Sequence, residues 1–530
     1  MSNGRKMLGS RNIILIKLFD IMLFKNYLLL MVLVLTTFVV NAQDNRKPNI
    51  IIILADDMGY GDVGPFNSHS LIPTPAMNKL AKEGMIFTDA HSASSVCTPS
   101  RYSLLTGRYA WRTALKQQVY YNYEPPLIES SRMTIASMLK TNGYNTAAIG
   151  KWHLGLKWKT KPGQFFDFNK PLPWSGGTLP KEEEAKIDFN APIEGGPVEL
   201  GFDYFYGASA CATCNTPYCY IENDKIVEEP TEYFKGKYLE QRGGFRSPGF
   251  NEATVDSIFT MKAIEFIERS SKEKDPFFLY LAASAPHEPA EEDVVPQFMR
   301  GASKAGPRGD LVVYFDWMVG KIMSTLKKAG VANNTLIIVT SDNGPKPGNF
   351  NRITYGHKSN GDLRGFKGST WDGGHRVPLI VKWPGKIKPG SVNNNIVGLQ
   401  DIMATAAEIV NINIPGNAAE DSKSFLYAFS KNPDISKARK DIIHHSTNGV
   451  FAIRSGNWKL IVDCDNSGDG GRSVQGNKGT GPNPSMTSQL YNLSDDPFEL
   501  FNLLNNNKEK ANELRETLVS YQNDGRSIQH

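Results

Sequence analysis

Cysteine is scarce in this chain: five residues in 530, at positions 97, 211, 214, 219 and 464. The number is odd, so in an exported protein one thiol is left over from pairing. There is no long Lys/Arg run, and the formal net charge is only +5, which gives no case for a nucleic-acid partner. No internal repeat is present, which excludes a repeat array. The longest apolar run near the N-terminus, Tyr27 to Val40, falls short of the ~20 residues that span a bilayer. It is preceded by Arg5, Lys6, Arg11, Lys17 and Lys25 and followed by Val40-Asn41-Ala42, the pattern of a charged start, apolar core and small-residue cleavage site. A cleaved signal peptide over 1–42 is therefore expected, with export to the periplasm or secretion and no stable membrane insertion afterwards; a retained anchor is the alternative. Met22 is an alternative start. No cysteine closely follows the apolar run, so lipidation there is not expected.

What is present is enough for a large packed core: 40% hydrophobic and 21% charged residues. Asn49 to Leu54 is an apolar run with four β-branched isoleucines, which reads as a strand buried on both faces of a parallel sheet. It ends in Asp56-Asp57. Thr74-Pro75 opens a helix that Gly84 closes, and Thr134 opens another that ends at Gly143. Tyr144 to Ile149 reads as a strand running into Lys151-Trp152-His153. Val255 to Ile267 has helical spacing, Phe277 to Ser284 is a strand delivering His287, and Asp310 to Ala329 is a helix. Thr335 to Thr340 is a strand delivering Asp342-Asn343. Alternating strands and helices predict an α/β fold: a large, mainly parallel (mixed) sheet flanked by helices on both faces. In such sheets ligands sit beyond the carboxyl ends of the strands, and Asp56, Asp57, Lys151, His287, Asp342 and Asn343 all fall there. The stretch from about Lys157 to Leu200 reads as a surface excursion, and Asp465 to Ser485 as a Gly/Asn/Ser-rich loop. A catalytic domain over 43–415, a linker over 416–432 and a smaller C-terminal α+β subdomain over 433–530, with a short antiparallel sheet and a final helix near Ala511 to Tyr521, complete the expected organisation.

Asp56-Asp57 and Asp342-Asn343 offer four oxygen donors, which suit a hard cation such as Ca²⁺. Acidic residues after strands are also common turn formers. The segment Cys97-Thr98-Pro99-Ser100-Arg101, followed by Leu104-Leu105-Thr106-Gly107, narrows the choice. Cys-x-Pro-x-Arg in this setting resembles the signature of type I sulfatases of the alkaline phosphatase superfamily. Gly150-Lys151-Trp152-His153-Leu154-Gly155 resembles the second signature of that family. Pro286-His287, Ser341-Asp342-Asn343-Gly344, Gly365-Phe366-Lys367-Gly368 with Asp372-Gly373-Gly374, and Leu490-Tyr491-Asn492-Leu493 with Asp496-Pro497 and Glu499 follow in order. The resemblance thus spans roughly residues 48 to 510.

The resemblance implies that Cys97 is oxidised to 3-oxoalanine (formylglycine) by a formylglycine-generating enzyme. A hydrated aldehyde carries two hydroxyls on one carbon: one can attack sulfur, the other can expel sulfate, splitting one hard step into two. It further implies that Asp56, Asp57, Asp342 and Asn343 bind Ca²⁺ with residue 97 facing it, and that Arg101 orients the nucleophile. Lys151 and Lys367 would bind sulfate, His153 would act as a base, and His287, with Lys367, would protonate the leaving alcohol. The implied substrate is a sulfated carbohydrate; Gly201-Phe202-Asp203-Tyr204-Phe205-Tyr206-Gly207 and Trp111-Arg112 resemble polysaccharide sulfatases. Two rivals stay open: a phosphonate or phosphoester hydrolase of the same superfamily, and an inactive sulfatase-like glycan-binding protein. Cys211-Ala212-Thr213-Cys214 and Cys219 read as disulfide partners or plain thiols ahead of metal ligands. Together with Cys464 they could form up to two disulfides, none involving Cys97. His357, Arg364 and His375 are further candidates for substrate contact, and Asn333-Asn334-Thr335 is a glycosylation sequon.

Overall fold

Ile50, Ile52 and Leu54 pack into one apolar cluster and Ile51, Ile53 and Ala55 into another. A strand of period two buries both sets only when both faces of its sheet are covered. Each buried isoleucine contributes about 2 kcal/mol, which fixes Asn49–Ala55 at the centre of the molecule. In the computed structural model, residues 22–25, 27, 46–169, 178–346, 353–464 and 487–529 are described. The chain divides into two units, Met1–Lys47 and Pro48–His530. In the first, residues 22–25 and 27 are helical, and the rest of the apolar run and the Ala42 cleavage site lie outside the described residues. Among the described residues no helix is long and apolar enough to cross a membrane.

The second unit is built on a ten-stranded sheet. Its order is Ser391–Asn393, Met85–Phe87, Leu379–Lys382, Thr335–Ser341, Asn49–Ala55, Phe277–Ala282, Asn145–Lys151, Tyr204–Ala208, Ile221–Glu222 and Lys225–Ile226. Asn49–Ala55 pairs in parallel with Phe277–Ala282 and Thr335–Ser341, and Phe277–Ala282 with Asn145–Lys151. Leu379–Lys382 runs antiparallel, so the sheet is mixed. Helices Pro75–Glu83, Val255–Ser270 and Gly306–Lys328 cover one face through Leu80, Phe259, Phe266 and Phe315; Cys97–Thr106, Ile135–Lys140 and Asp401–Ile409 cover the other through Leu104, Ile135 and Met403. Thr134 caps its helix by accepting from Ser137 N, and Pro75 opens the earlier one.

Asp441–His445, Phe451–Ser455, Trp458–Cys464 and Thr487–Asn492 form a separate four-stranded antiparallel sheet in that order. The helix Lys508–Asn523 closes one of its faces with Leu514 and Leu518 against Ile443, Ile453 and Leu460. The other face carries Ala452, Ile461 and Tyr491 against Trp371. The expected loop 465–485 lies outside the described residues. The excursion after Lys157 holds isolated bridges from Lys157 to Glu194 and from Thr160 to Ile187 and the short helix Lys181–Glu184; residues 170–177 lie outside the description.

Candidate active site

Four parallel strands end together, and the residues after them converge. Asp56 and Asp57 follow the central strand. Asp342 and Asn343 follow Thr335–Ser341, Lys151 closes Asn145–Lys151, and His287 lies past Phe277–Ala282. Gly150, at φ +113°, precedes Lys151; a Cβ there would stand 1.8 Å from the Ala282 carbonyl oxygen, so the close strand approach requires glycine. Asp57 (φ 68°) and His153 (φ 60°) hold the left-handed conformation without being glycine, a local strain that packing must hold in place.

Cys97 is the first residue of a helix whose side chains are all buried. Its Sγ lies 3.5 Å from Asp56 Oδ1 and 4.0 Å from Asp57 Oδ1. Burial pushes the thiol well above the ordinary range, against the opposing charges of Lys151 and Lys367. Arg101, one turn on, donates from Nε and Nη2 to Asp342 Oδ2 at 3.0 and 2.7 Å and from Nη1 to the Lys151 carbonyl at 3.1 Å. One guanidinium therefore ties two strand ends together under the cysteine. Lys151 Nζ donates to Asp56 Oδ2 at 2.6 Å and Lys367 Nζ to Asp57 Oδ2 at 2.7 Å. Burial alone would raise the Asp57 carboxyl, but Lys367 and His287 outweigh it and hold it well below the usual range. Asp342 goes the other way, raised to about 6 by burial, with Arg101 opposing and the Asp56 carboxylate adding to the rise.

Three buried carboxylates and an amide thus crowd one volume. Asn343 donates from Nδ2 to Asp57 Oδ1 at 2.7 Å, while its Oδ1 is buried with no partner. An orphaned acceptor beside three carboxylates fits a hard divalent cation, since oxygen donors predominate, with Cys97 Sγ and His287 at the edge of the same cluster.

The two histidines differ. His153 donates from Nε2 to the Tyr120 carbonyl at 2.6 Å, and its Nδ1 is buried without a partner. Burial, reinforced by the charges of Lys151 and Arg101, holds this ring well below the ordinary histidine pKa, hence neutral. His287 is partly exposed at the rim. Its Nδ1 lies 2.9 Å from the Glu288 carbonyl, which makes it the donor there, and its Nε2 lies 3.2 Å from Lys367 Nζ and 3.7 Å from Asp57 Oδ2. The loop carrying it is pinned by Asp256, which accepts from Ser284 N and Ala285 N at 2.8 Å each. Asp256 was not among the residues singled out above; a lone acid in a helix gives no sequence signal.

Nine of the ten singled-out site residues are therefore joined by direct contacts, and the tenth, His153, lies near enough to feel the charges of Lys151 and Arg101. The weaker candidates do not join them. His357 is buried on Asp62 at 2.9 Å. Arg364 stacks on Trp371 at 3.7 Å and contacts the Glu499 carbonyl. His375 is fully buried between His91 and His444. Arg112 pairs with Asp421, and Trp111 is buried. Cys97, Cys211, Cys214 and Cys219 stand as thiols, and the Cys464 thiol donates to the Thr487 carbonyl. Cys211 was read as a disulfide partner or plain thiol, yet its Sγ lies 3.2 Å from His287 Nδ1. Burial would raise this thiol, but a hydrogen bond from Cys214 and the charges of His287 and Lys151 hold it below its ordinary range.

A buried oxygen-donor cluster at the strand ends of an α/β sheet, with a cysteine at its centre and cationic side chains around it, defines a hydrolase site for an anionic ester. Comparison with known proteins agrees. The Sulfatase family model matches residues 48–412. An N-acetylgalactosamine-6-O-sulfatase of Bacteroides thetaiotaomicron is 33% identical, with 91% of this chain and 94% of that protein covered. Human arylsulfatase A is 30% identical over 87% of this chain and 84% of its own length. A structure solved in work on glycosaminoglycan metabolism by Bacteroides thetaiotaomicron superposes with a TM-score of 0.75 at 30% identity, covering 90% of this chain and all of that one. The chain belongs to the sulfatase family and is a sulfuric ester hydrolase.

Proposed function

We propose that this protein hydrolyses sulfate esters of carbohydrates, with Cys97 converted to formylglycine and Ca²⁺ held by Asp56, Asp57, Asp342 and Asn343. The observation that carries the reading is the unpartnered Asn343 Oδ1 among three carboxylates around Cys97. By formal charge, Arg101, Lys151 and Lys367 only balance Asp56, Asp57 and Asp342. A bound divalent cation supplies the excess positive charge that a sulfate ester needs and acidifies the nucleophile.

The chain's own residues divide the remaining work. Lys151 and Lys367 present their Nζ atoms to sulfate oxygens and stabilise charge as it develops. Arg101 orients residue 97. His153, kept neutral with its Nε2 proton on Tyr120, offers Nδ1 as a base. His287, with Nδ1 committed to the Glu288 carbonyl, delivers a proton from Nε2 to the leaving alcohol, assisted by Lys367. The carbohydrate substrate is supported by the relative named for 6-O-sulfated N-acetylgalactosamine, which aligns over 91% of this chain. The catalytic domain runs over 43–415, followed by the linker over 416–432 and the subdomain over 433–530. A formylglycine-generating enzyme is the maturation partner, and the mature protein is exported.

The deciding experiment measures sulfate released from defined sulfated oligosaccharides, with galactosamine 6-O-sulfate set against its 4-O-sulfated isomer and a phosphate monoester. Release from a sugar sulfate is expected. Turnover of the phosphate ester with no sugar sulfate cleaved would return the reading to the phosphoesterase alternative.

A further inference from the structure

Cys211 and Cys214 sit on a turn closed by hydrogen bonds from Cys214 N (3.3 Å) and Asn215 N (2.9 Å) to the Cys211 carbonyl. The turn brings both sulfurs to the same ring nitrogen: His287 Nδ1 is 3.2 Å from Cys211 Sγ and 3.9 Å from Cys214 Sγ. The three atoms all lie within 4.8 Å of one another. A tetrahedral zinc ion with Zn–S of about 2.3 Å and Zn–N of about 2.0 Å holds its sulfur and nitrogen ligands about 3.5 Å apart. The two observed separations bracket that value.

The arrangement is held by bonds that do not use the sulfurs. Thr213 Oγ1 donates to the Glu288 carbonyl at 2.8 Å, joining the cysteine turn to the histidine loop. Gln241 Nε2 donates to the Thr213 carbonyl at 3.2 Å, and Arg242 N to the Cys214 carbonyl at 3.0 Å. The ligand atoms are therefore preorganised whether or not an ion is bound. Both cysteines are buried, at 1% and 5% exposure, beside the partly exposed His287. Cys-x-x-Cys spacing alone is weak, since buried thiols usually serve as small apolar groups. The third ligand, 76 residues further on, changes the reading.

We propose that Cys211, Cys214 and His287 Nδ1 form a thiophilic metal site for a zinc-like cation, separate in chemistry from the oxygen-donor site of Asp56, Asp57, Asp342 and Asn343. The Glu288 carbonyl, 2.9 Å from Nδ1, is the nearest candidate for a fourth ligand. Binding would displace the thiol protons and the Nδ1 proton to solvent. It would also clamp the ring whose other edge faces Lys367 and Asp57, so occupancy should inhibit turnover. Metal binding stands independently of the carbohydrate reading; only the inhibition rests on the role given to His287.

The test uses the full chain, reduced and kept in excess Ca²⁺, titrated with Zn²⁺ against a chromophoric chelator and separately with Co²⁺ followed by absorption. One equivalent of Zn²⁺ is expected to bind. Co²⁺ should give a thiolate-to-cobalt charge-transfer band and the strong visible bands of a tetrahedral site. Cys211→Ser and Cys214→Ser should each weaken binding by more than about tenfold. Sulfate release should fall with the same one-equivalent endpoint and return when zinc is chelated. The wild-type spectrum decides even where a variant folds poorly: no charge-transfer band overturns the proposal. So does a band that survives in both serine variants, or a Cys211–Cys214 disulfide in the protein as isolated. Metal binding without inhibition keeps the site and overturns its link to His287.

Discussion

Two buried clusters of ionisable side chains, each gathered from distant segments, differ in kind. The first is the strand-end cluster around Cys97. The second joins His91, His375 and His444 with Asp89, Asp372, Lys459, Arg454 and Glu499, where the small antiparallel sheet meets the segments around residues 90 and 372. In the second cluster His91 bonds Asp89 at 2.8 Å and His375 at 3.1 Å. His375 reaches the Thr370 carbonyl at 3.0 Å, and His444 reaches the Ser92 carbonyl at 3.0 Å while stacking on His375 at 3.7 Å. Lys459 lies 2.7 Å from both Asp372 and Glu499. Of the three histidine rings, only His444 Nε2 lacks a partner, and all three are fully buried. The first cluster has comparable charge but keeps Asn343 Oδ1 and His153 Nδ1 unpartnered and opens to solvent at His287 and Lys367. A sealed network spends its polarity on holding segments together; an open one keeps polarity back for a ligand.

Substitutions should separate the two. Cys97→Ala is expected to abolish sulfate release with little change in unfolding free energy, because a small side chain replaces a pocket residue. Lys459→Met leaves Glu499 buried without its cation and Asp372 with Arg376 at 3.3 Å, and should cost about 3–5 kcal/mol in denaturant unfolding. If Cys97→Ala unfolds the protein and Lys459→Met does not, the division is wrong.

Metal removal sharpens it next. Chelation should abolish activity and lower the melting temperature, since a ligand that binds only the native state stabilises it. Ca²⁺ should restore both; restoration by Zn²⁺ alone would mean that the oxygen cluster is not the functional cation site.

His287→Ala should slow a sugar sulfate by about 10²-fold or more, the usual share of acid–base catalysis. An activated aryl sulfate needs less help from an acid and should suffer less. Equal losses in kcat/KM on both substrates would remove the acid role from His287.

The smallest effect is on pH and stability. Burial depresses His91, His375 and His444, and it lowers His445 to about 4. A base depressed on folding is uncharged when native, so its contribution is intact above the unfolded pKa of about 6.5 and is lost as pH falls below that. The melting temperature should therefore drop from pH 7 toward pH 4.5, and His445→Asn should flatten that slope. An unchanged slope would show that other groups set the acid limit.

Much of this was legible beforehand, for reasons that are local. The run Asn49 to Leu54 read as a doubly buried strand, and it lies between its two parallel neighbours. Asp56-Asp57 and Asp342-Asn343 were readable as a pair because adjacent parallel strands end at the same level. Gly84 and Thr134 marked helix ends within a residue. What stayed hidden is long-range. Nothing near Cys211 in the sequence points to His287, and nothing near His91 points to His375 or His444 on other segments. Glu499, read only as part of a common tail, turns out to accept from Asp372 N at 2.7 Å. His357 and His375 looked like substrate contacts because they flank Lys367, but flanking in sequence does not settle which way a side chain is packed.

The position of Cys97 also sets a schedule for the life of the molecule. The residue is 1% exposed and opens a helix buried along every residue. The segment before it is fastened from the far end of the chain: Ser94 and Ser95 both donate to the His445 carbonyl. With those contacts closed the sulfur is buried, so the proposed maturation enzyme would have to reach it before they form. If Cys97 is converted as proposed, conversion must win a race against folding, and a molecule that loses it would be folded but inert. On that proposal, slowing the final closure of the chain would raise the fraction of active molecules without altering any residue that touches substrate.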